Sequence, residues 1–349
     1  MTDLNKLTRK NILTLKPYSS ARDEYFGSEG IFLDANENSF GSVAGQALNR
    51  YPDPHHRELK EKLSIIKKVS PKNIFIGNGS DEAIDLLIRA FCEPGNDDVL
   101  IMPPTYGMYK VCAAVNDAGI IEVPLTDKFE INLDQVISSL DENLKLIFIC
   151  SPNNPTGNTF KTESIEEILA RFDGLVLIDE AYIDFSKKDS WTRRLPEFDN
   201  LVVMQTFSKA WGLANIRLGM AYASADIINL LNKIKYPYNV NGVTQKIAVE
   251  ALNNVAQKNA FVEAILEERE LLKSKLLSLD TVQKIYNSDA NFLLVKVSHA
   301  RNIYNYLTGN LLIVRDRSNV ALCDNCLRIT VGTPEQNARL LELLKNYGE

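Results

Sequence analysis

Short apolar segments rich in β-branched residues recur between residues 73 and 223 and alternate with amphipathic patterns. Apolar residues spaced three and four apart predict helices, as around Ile84–Phe91 and Ile165–Leu169. The remaining segments are apolar on both faces, as strands of a parallel sheet are when helices cover both sides. The chain is therefore predicted to contain an α/β domain around a mostly parallel mixed sheet. The predicted strands are 73–77, 99–102, 120–123, 144–150, 175–179, 201–206 and 218–223.

The pattern changes after about residue 245. A long amphipathic stretch over 245–279 predicts a helix, and a terminal helix is predicted over 334–347. We expect a large domain over residues 41–244 and a smaller α+β domain over 245–349. Residues 1–40 are rich in turn formers and are expected to form an irregular arm that contributes to the small domain. Between the two C-terminal helices, strands are predicted at 282–286, 291–297, 311–314 and 327–331.

Composition narrows the possible functions. The 349 residues are 45% hydrophobic and 24% charged, as in ordinary globular proteins, and 39 basic against 45 acidic residues give a net charge of −6. An acidic chain without a basic block is a poor nucleic-acid binder, and its apolar runs are too short to span a bilayer. The odd count of five cysteines and the polar first thirty residues favour a cytoplasmic protein. No metal site is expected, because Cys323 and Cys326 lack a second pair or a nearby His.

Two loops after predicted strands are unusually rich in turn-forming residues. Segment 77–82, GNGSDE, joins a strand to a helix, where glycines and free N–H groups suit a phosphate. An ordinary turn capped by Ser80 or Asp81 explains the same residues. Segment 151–157, SPNNPTG, contains more turn formers than one turn requires and presents Asn154 at a strand end.

Two further loops place ionisable residues after buried strands. Asp179 ends a predicted strand, where an acid is costly unless it faces a cation or a donor, although helix capping is an alternative. Tyr182 follows three residues later, which capping does not explain. Lys209 lies between hydroxyls and aromatics, where burial would lower its pKa and leave an amine able to attack a carbonyl. Most lysines only solvate a surface, so Lys209 alone would be weak evidence.

Taken together, these loops supply what pyridoxal phosphate requires: a lysine for its aldehyde, an acid at its ring nitrogen, and donors for its phenolic oxygen and phosphate. In chain order, the sequence resembles the fold-type I pyridoxal-phosphate-dependent aminotransferases in GNGSDE, PPTYGMY, SPNNPTG, DEAY, TFSKAWGLANIRLG and LRITVG. More narrowly, the chain is similar to the histidinol-phosphate aminotransferase family in LKPY, LDANEN, RYPD and IVRDR.

The resemblance implies a role for each residue of the site. Lys209 would bind the cofactor aldehyde and transfer protons, Asp179 would hold the ring nitrogen protonated, and Tyr182 would hydrogen-bond the phenolic oxygen. Tyr51 would reach into the site of the partner subunit, so that a homodimer is part of the implied enzyme. The other implied cofactor contacts are Asn154 at the phenolic oxygen, Tyr106 on the ring, and Ser80, Asp81, Thr206, Ser208 and Arg217 at the phosphate.

The same resemblance implies reversible amino transfer between L-histidinol phosphate and 2-oxoglutarate in histidine biosynthesis. One site must then hold a dicarboxylate and a phosphate ester, and planar arginine forks bind either anion. Arg328 is the stronger candidate ligand and Arg315 the weaker, since Arg315 or its neighbour Arg317 could instead form a surface ion pair. The remaining candidates for substrate contacts are Asn154 and, at the imidazole end or merely in packing, Tyr18 and Asn36.

Related enzymes remain as alternatives. A pyridoxal-phosphate-dependent decarboxylase of a phosphorylated amino acid would share the cofactor loops, and so would a broader aromatic aminotransferase. A regulator that keeps the cofactor without catalysis is disfavoured, because no basic helix-turn-helix segment precedes the first cofactor loop and Lys209 is present.

Overall fold

The computed structural model describes residues 3–24, 30–45 and 48–347. These residues contain a seven-stranded sheet with apolar cores on both faces and a four-stranded sheet with its own helical layer. The fold class predicted from the alternating pattern is confirmed: a large, mostly parallel α/β sheet and a smaller α+β unit. None of the helices in the described part of the chain has both the length and the apolar character that a membrane crossing requires.

The large sheet has the strand order β1-β7-β6-β5-β4-β2-β3. Its strands are β1 (Ile74–Asn78), β2 (Asp98–Ile101), β3 (Gly119–Glu122), β4 (Leu144–Cys150), β5 (Leu175–Asp179), β6 (Leu201–Thr206) and β7 (Leu218–Tyr222). Strand β7 runs antiparallel to both of its neighbours, whereas the remaining pairs are parallel. Each strand begins and ends within one residue of its predicted bounds.

Helices cover both faces of this sheet. In β4, Ile147 and Ile149 belong to the core on one face, whereas Leu146 and Phe148 belong to the core on the other. This double burial explains why the strands read as continuous apolar runs. The helices of the large unit are α4 (Arg57–Lys67), α5 (Ser80–Phe91), α6 (Met108–Val115), α7 (Leu133–Ser138), α8 (Thr162–Arg171), α9 (Ala225–Ile234) and α10 (Gly242–Ala251).

The small unit is an antiparallel sheet with helices on one face. Its strands β8 (Val282–Ile285), β9 (Phe292–Val297), β10 (Arg315–Asp316) and β11 (Cys326–Thr330) have the order β10-β11-β9-β8. Helices α11 (Val255–Leu276), α12 (Ala300–Gly309) and α13 (Pro334–Lys345) pack against it. Leu294 and Cys326 belong instead to a core of the large sheet, so the two units share an apolar contact.

Two predicted elements are wrong. Residues 311–314 do not form a strand, because Leu311 has a φ of +59° and the Leu312 N–H donates to the Leu307 carbonyl (2.9 Å), which turns the chain after α12. The predicted helix over 245–279 is divided by a 3₁₀ turn at Leu252–Asn254. Its first part belongs to α10, and Ala248 packs in the large core although the sequence assigned it to the small domain.

The N-terminal arm also differs from its prediction. It contains the short helices α1 (Leu4–Leu7), α2 (Lys10–Thr14) and α3 (Ala21–Glu24). Leu4 and Leu7 pack against the large core, and the Arg9 N–H donates to the Ala90 carbonyl at 3.0 Å. Because burial of these leucines favours that contact, the beginning of the arm lies on the large unit rather than on the small one. Residues 1–2 and 25–29 of the predicted arm lie outside the described residues.

Candidate active site

The loops singled out in the sequence meet at one edge of the large sheet. Strands β4, β5 and β6 are parallel neighbours, with Cys150 opposite Asp179 and Asp179 opposite Met204, so the loops that follow them leave the sheet side by side. Together with the small sheet they enclose a cavity of about 700 Å³. The predicted site residues on its wall are Ser80, Asp81, Tyr106, Asn154, Asp179, Tyr182, Thr206, Ser208, Lys209, Arg217, Arg315 and Arg328.

The beginning of α5 forms an anion cradle at this edge. Gly79 has a φ of +78° and its N–H donates to the Arg217 carbonyl at 2.7 Å, which brings the turn against the start of β7. At Gly219 a Cβ atom would lie 2.1 Å from the Ser80 nitrogen, so only glycine permits this approach. The guanidinium of Arg217 lies 3.7 Å from Asp81. A helix N-terminus beside an arginine suits a phosphate group.

The two hydroxyls at the end of β6, on Thr206 and Ser208, are not equivalent. The Thr206 hydroxyl is buried, and two acceptors are open to its single proton: the Ser208 oxygen at 3.0 Å and the Leu218 carbonyl at 3.2 Å. Its oxygen also accepts the Ser208 N–H at 3.1 Å. Because Thr206 is engaged within the protein, the Ser208 hydroxyl is the better placed of the two to donate to a ligand.

Asp179 presents a buried carboxylate to the cavity. The residue is 3% exposed, and burial raises the pKa of its carboxyl to about 6. Two donors oppose this shift: the Tyr109 hydroxyl at 2.8 Å from Oδ2 and the Ala181 N–H at 3.0 Å from Oδ1. A carboxylate held this rigidly in a dry site is prepared to receive a protonated nitrogen.

The neighbouring acid, Glu180, has a different environment. Its carboxylate accepts hydrogen bonds from Ser190, from the Trp191 N–H at 2.7 Å and from the Gln205 amide at 2.8 Å. Burial nevertheless raises its pKa to about 7. Glu180 does not line the cavity and instead ties the end of β5 to β6 and to the following loop.

Lys209 has the environment of a reactive amine. Burial is the main cause that lowers its pKa, and the positive charge of Arg328 lowers it further. Its Nζ lies 5.6 Å from the centre of the Tyr182 ring. A lysine that loses its proton more readily than usual can attack a carbonyl carbon and can accept a proton.

Three polar residues border the space between Lys209 and the cradle. The Tyr106 hydroxyl donates to Asp81 at 3.1 Å, which fixes its ring beside the cavity. Asn154 accepts a hydrogen bond from Arg328 through its amide oxygen, which leaves its NH₂ group free to donate. Burial raises the pKa of Tyr182, so its phenol stays protonated and able to donate.

Arginines from the small sheet form the opposite wall. Arg315 and Arg328 are paired across β10 and β11, and both line the cavity. Burial lowers the pKa of Arg328. Arg317 lies on the same wall, so the choice between Arg315 and Arg317 that the sequence left open is not decided by position alone.

Three predicted site residues do not line the cavity of their own chain. Tyr51 is half exposed and stacks on Tyr238, with ring centroids 4.5 Å apart. Tyr18 lines a separate cleft of about 1130 Å³ beside α9. Asn36 is exposed and has a φ of +54°. A single chain therefore does not bring these residues to Lys209.

Some residues that support this site were not predicted from the sequence. Tyr109 is fully buried, stacks on Phe148 with ring centroids 4.8 Å apart and donates to Asp179. The available signal was its position three residues after Tyr106, and the two rings meet edge to face with centroids 5.5 Å apart. Cys150 and Thr105 also line the cavity.

The residues present fit pyridoxal phosphate. The cradle at Ser80 accommodates a phosphate, the buried Asp179 requires a cationic partner, and Lys209 supplies an amine of lowered pKa. Tyr182 and Asn154, on the wall of the same cavity, offer further hydrogen-bond donors. This is the set of groups that the cofactor's phosphate, ring nitrogen, aldehyde and phenolic oxygen need.

Comparison with known proteins agrees with this geometry. The family model "Aminotransferase class I and II" matches residues 29–344. A histidinol-phosphate aminotransferase of Cytophaga hutchinsonii is 53% identical over 344 residues, which cover 99% of both chains. One of Bacteroides fragilis is 53% identical over 348 residues, covering 99% of this chain and 100% of the relative.

A solved structure shows the same fold. The histidinol-phosphate aminotransferase from Sinorhizobium meliloti in complex with pyridoxal-5'-phosphate superposes with a TM-score of 0.77 at 23% identity, over 89% of this chain and 90% of that one. The family match covers most of the chain, and the two relatives cover nearly all of it. The chain belongs to the class I and II aminotransferase family.

Proposed function

We propose that this protein is a pyridoxal-phosphate-dependent histidinol-phosphate aminotransferase of histidine biosynthesis, which transfers an amino group reversibly between L-histidinol phosphate and 2-oxoglutarate. One observation carries the proposal: a single cavity joins Lys209 and Asp179 to Arg315 and Arg328. The names of relatives that are 53% identical over nearly the whole chain support the same reaction.

The protein residues have separable tasks. When bound, pyridoxal phosphate supplies an electron sink for the pair left at Cα after a proton departs. Asp179 holds the proton on the ring nitrogen, because its carboxylate is fixed by Tyr109 and Ala181. Lys209 anchors the cofactor and, once a substrate amine has displaced it, moves the Cα proton as general base and then as general acid.

The arginines account for the two dissimilar substrates. Glutamate carries two carboxylates, one beside the reacting amine and one at the end of its side chain, whereas histidinol phosphate carries a phosphate and no carboxylate. Arg328 and Arg315 bind both in turn, because a guanidinium fork fits the oxygens of either group. Among the described residues no carboxylate forms an ion pair with Arg315 or Arg328, so both remain available for substrate.

A homodimer completes the proposed site. Several large apolar residues before Tyr51 are almost fully exposed: Ile31, Leu33, Phe40 and Val43. An exposed apolar patch of this kind favours a protein interface, and a second copy would bring Tyr51 to the neighbouring cavity. We further propose a cytoplasmic location, which the five free, buried cysteines support.

The reaction is tested by supplying the cofactor-loaded protein with L-histidinol phosphate and 2-oxoglutarate and measuring glutamate. We expect saturable glutamate formation that is abolished in Lys209→Ala. Release of carbon dioxide from threonine phosphate without glutamate formation would favour the decarboxylase. Faster transfer from phenylalanine or tyrosine than from histidinol phosphate would favour a broader aromatic aminotransferase.

A further inference from the structure

Arg317 joins Arg315 and Arg328 on the wall of the cavity. The backbone N–H of Arg317 donates to the Cys326 carbonyl at 2.8 Å, and this bond extends the pairing of β10 and β11 by one residue. Residues two apart on such a segment point to the same side, so Arg315 and Arg317 both face the cavity while Asp316 faces away. Asp316 instead forms an ion pair with Arg301 at 3.3 Å.

These three arginines have no direct ion-pair partner within the described part of the chain. No carboxylate there forms an ion pair with Arg315, Arg317 or Arg328, and the Nε atom of Arg317 is buried without a hydrogen-bond partner. Burial and the two neighbouring guanidinium groups lower the pKa of Arg317. Like charges held together in a partly dry site are unfavourable until an anion joins them.

The two substrates differ in the number and direction of the hydrogen-bond donors that they require from these arginines. Each of the two carboxylates of a dicarboxylate has one negative charge and two oxygens, which a single guanidinium fork can satisfy. A phosphate ester has up to two negative charges and three free oxygens, and these require donors from a second direction. Arg328 also donates to Asn154, so one of the hydrogen bonds that its guanidinium group can form is already made.

We propose that Arg317 is a direct ligand of the substrate's phosphate group and that it selects the phosphate ester over the dicarboxylate. This inference rests on the proposed function. Arg315 and Arg328 serve both substrates, whereas Arg317 contributes mainly when the phosphate is present. The Arg317 side chain, which lines the cavity, then donates to the phosphate oxygens, and the dianion offsets the mutual repulsion of the cluster.

The proposal is tested with the variant Arg317→Gln. Its matched control is Arg339→Gln, because Arg339 lies on the surface of α13 and pairs there with Glu342. Holoenzyme half-reactions give apparent dissociation constants for histidinol phosphate and glutamate, and calorimetry measures binding of the unreactive probes ethyl phosphate and succinate. We expect Arg317→Gln to weaken both phosphate compounds by at least about tenfold and both dicarboxylates by less than about threefold. Arg317→Lys should recover part of the phosphate affinity, because it keeps the charge without the fork.

Equal weakening of phosphate and dicarboxylate binding, or no weakening of either, would overturn the proposal. If Arg317→Gln does not fold, the same comparison with Arg317→Lys decides, and wild-type affinity for both classes then contradicts it. Cofactor content and thermal midpoint should match those of Arg339→Gln. If the wild-type enzyme showed no half-reaction with histidinol phosphate, the proposed function would be refuted instead. If the wild-type enzyme turned over normally and Arg317→Gln bound both classes of ligand as the wild type does, only this inference would be refuted.

Discussion

Asp179 holds a carboxylate inside the protein, with donors from Tyr109 and Ala181 on its two oxygens. Burial raises its pKa to about 6, which means that the folded protein binds the proton more tightly than the unfolded chain does. Without a cationic partner, the ionised group therefore destabilises the folded state at neutral pH. Its retention is explained by function, because the cofactor's ring nitrogen would supply that partner.

Asp179→Asn should stabilise the cofactor-free protein while it impairs cofactor binding. Above pH 6 the acid is ionised in both states, and its removal should raise the free energy of unfolding by on the order of 2 kcal/mol. The gain should fade as the pH falls from 6 towards 4, where the folded wild-type protein takes up the proton. Urea unfolding of both proteins at pH 8 and pH 4 measures this, and an equal difference at both pH values would contradict it.

Tyr109→Phe should shift the acid limb of the amino-transfer rate to higher pH. The phenol stabilises the ionised form of Asp179, so its loss raises the pKa of that carboxyl further and the active form is lost earlier as the pH falls. The groups that also bear on Asp179 are the Ala181 N–H, Asp81 and Lys209. A pH profile of the half-reaction, read together with the pH dependence of the cofactor spectrum, measures the shift.

Tyr222→Phe is the matched control for Tyr109→Phe. Tyr222 is also a fully buried tyrosine of the large unit, but its hydroxyl has no hydrogen-bond partner among the described residues. Its substitution should leave the acid limb in place. If Tyr109→Phe and Tyr222→Phe gave the same pH profile, the hydroxyl of Tyr109 would have no role in positioning Asp179.

The secondary-structure elements were predictable where burial acts on both faces of a strand. β4, β5 and β6 contain the apolar runs 146–150, 175–178 and 201–204, and the carboxyl ends of these strands located Asn154, Asp179 and Lys209 correctly at one edge of the sheet. Segment 311–314 has the same composition but lies after α12, where Leu311 and Ile313 are largely exposed. Composition alone cannot distinguish an exposed apolar turn from a buried strand.

Contacts between elements were less predictable than the elements themselves. The hydrogen bond from Tyr109 to Asp179 depends on how α6 packs on the large sheet, which local sequence does not encode. The position of Arg317 depends on the pairing of β10 with β11. The roles of the individual site residues stay predictions, whereas their convergence on one cavity is observed.

Gly219→Ala should disrupt the contact between β7 and the beginning of α5. A Cβ atom there would lie 2.1 Å from the Ser80 nitrogen, so the helix start must move away from its position at the cradle. We expect a loss of about 1–3 kcal/mol in the free energy of unfolding and faster dissociation of the cofactor. Thermal unfolding and the rate of cofactor release measure the two effects.

Gly309→Ala provides the control at the end of α12. A Cβ atom at Gly309 would meet nothing within 4 Å, so the variant should unfold at or above the wild-type temperature and keep its cofactor. If Gly219→Ala behaved in the same way, close packing of β7 on α5 would not be what shapes the cradle.

The whole molecule combines an acidic surface with a basic cavity. Its net charge is −6, yet Arg217, Arg315, Arg317, Arg328 and Lys209 all line one cavity. Anionic substrates are therefore recognised by these placed cations rather than by a general surface field. The charge count argued correctly against a basic, nucleic-acid-binding surface, but it contained no information about phosphate ligands inside the protein.

Mixing two impaired variants should restore activity if two chains build each site. Lys209→Ala lacks the proposed anchor, and Tyr51→Ala lacks the residue proposed to reach the neighbouring chain. The two variants are unfolded and refolded together in equal amounts, so that about half of the resulting dimers contain one chain of each kind. Each mixed dimer should have one intact site, and intact sites should then make up about a quarter of all sites. The measurement is amino-transfer activity of the mixture against each variant refolded alone.

Activity of the mixture equal to the average of the two variants would show that each chain completes its own site. The matched control replaces Tyr51→Ala with Tyr236→Ala, an exposed tyrosine outside the cavity of its own chain and without a proposed role in the partner's site. Mixing this variant with Lys209→Ala should give only the average of the separate activities.

In the proposed reaction, one cavity exchanges an amino group with histidinol phosphate through Lys209. The most direct measurement is a single-turnover absorbance spectrum of the cofactor-loaded protein mixed with L-histidinol phosphate alone, without an amino acceptor. We expect loss of the visible cofactor band with stoichiometric formation of imidazole acetol phosphate, and recovery of the band when 2-oxoglutarate is added. An unchanged spectrum with histidinol phosphate, in protein whose band does change with glutamate, would contradict it.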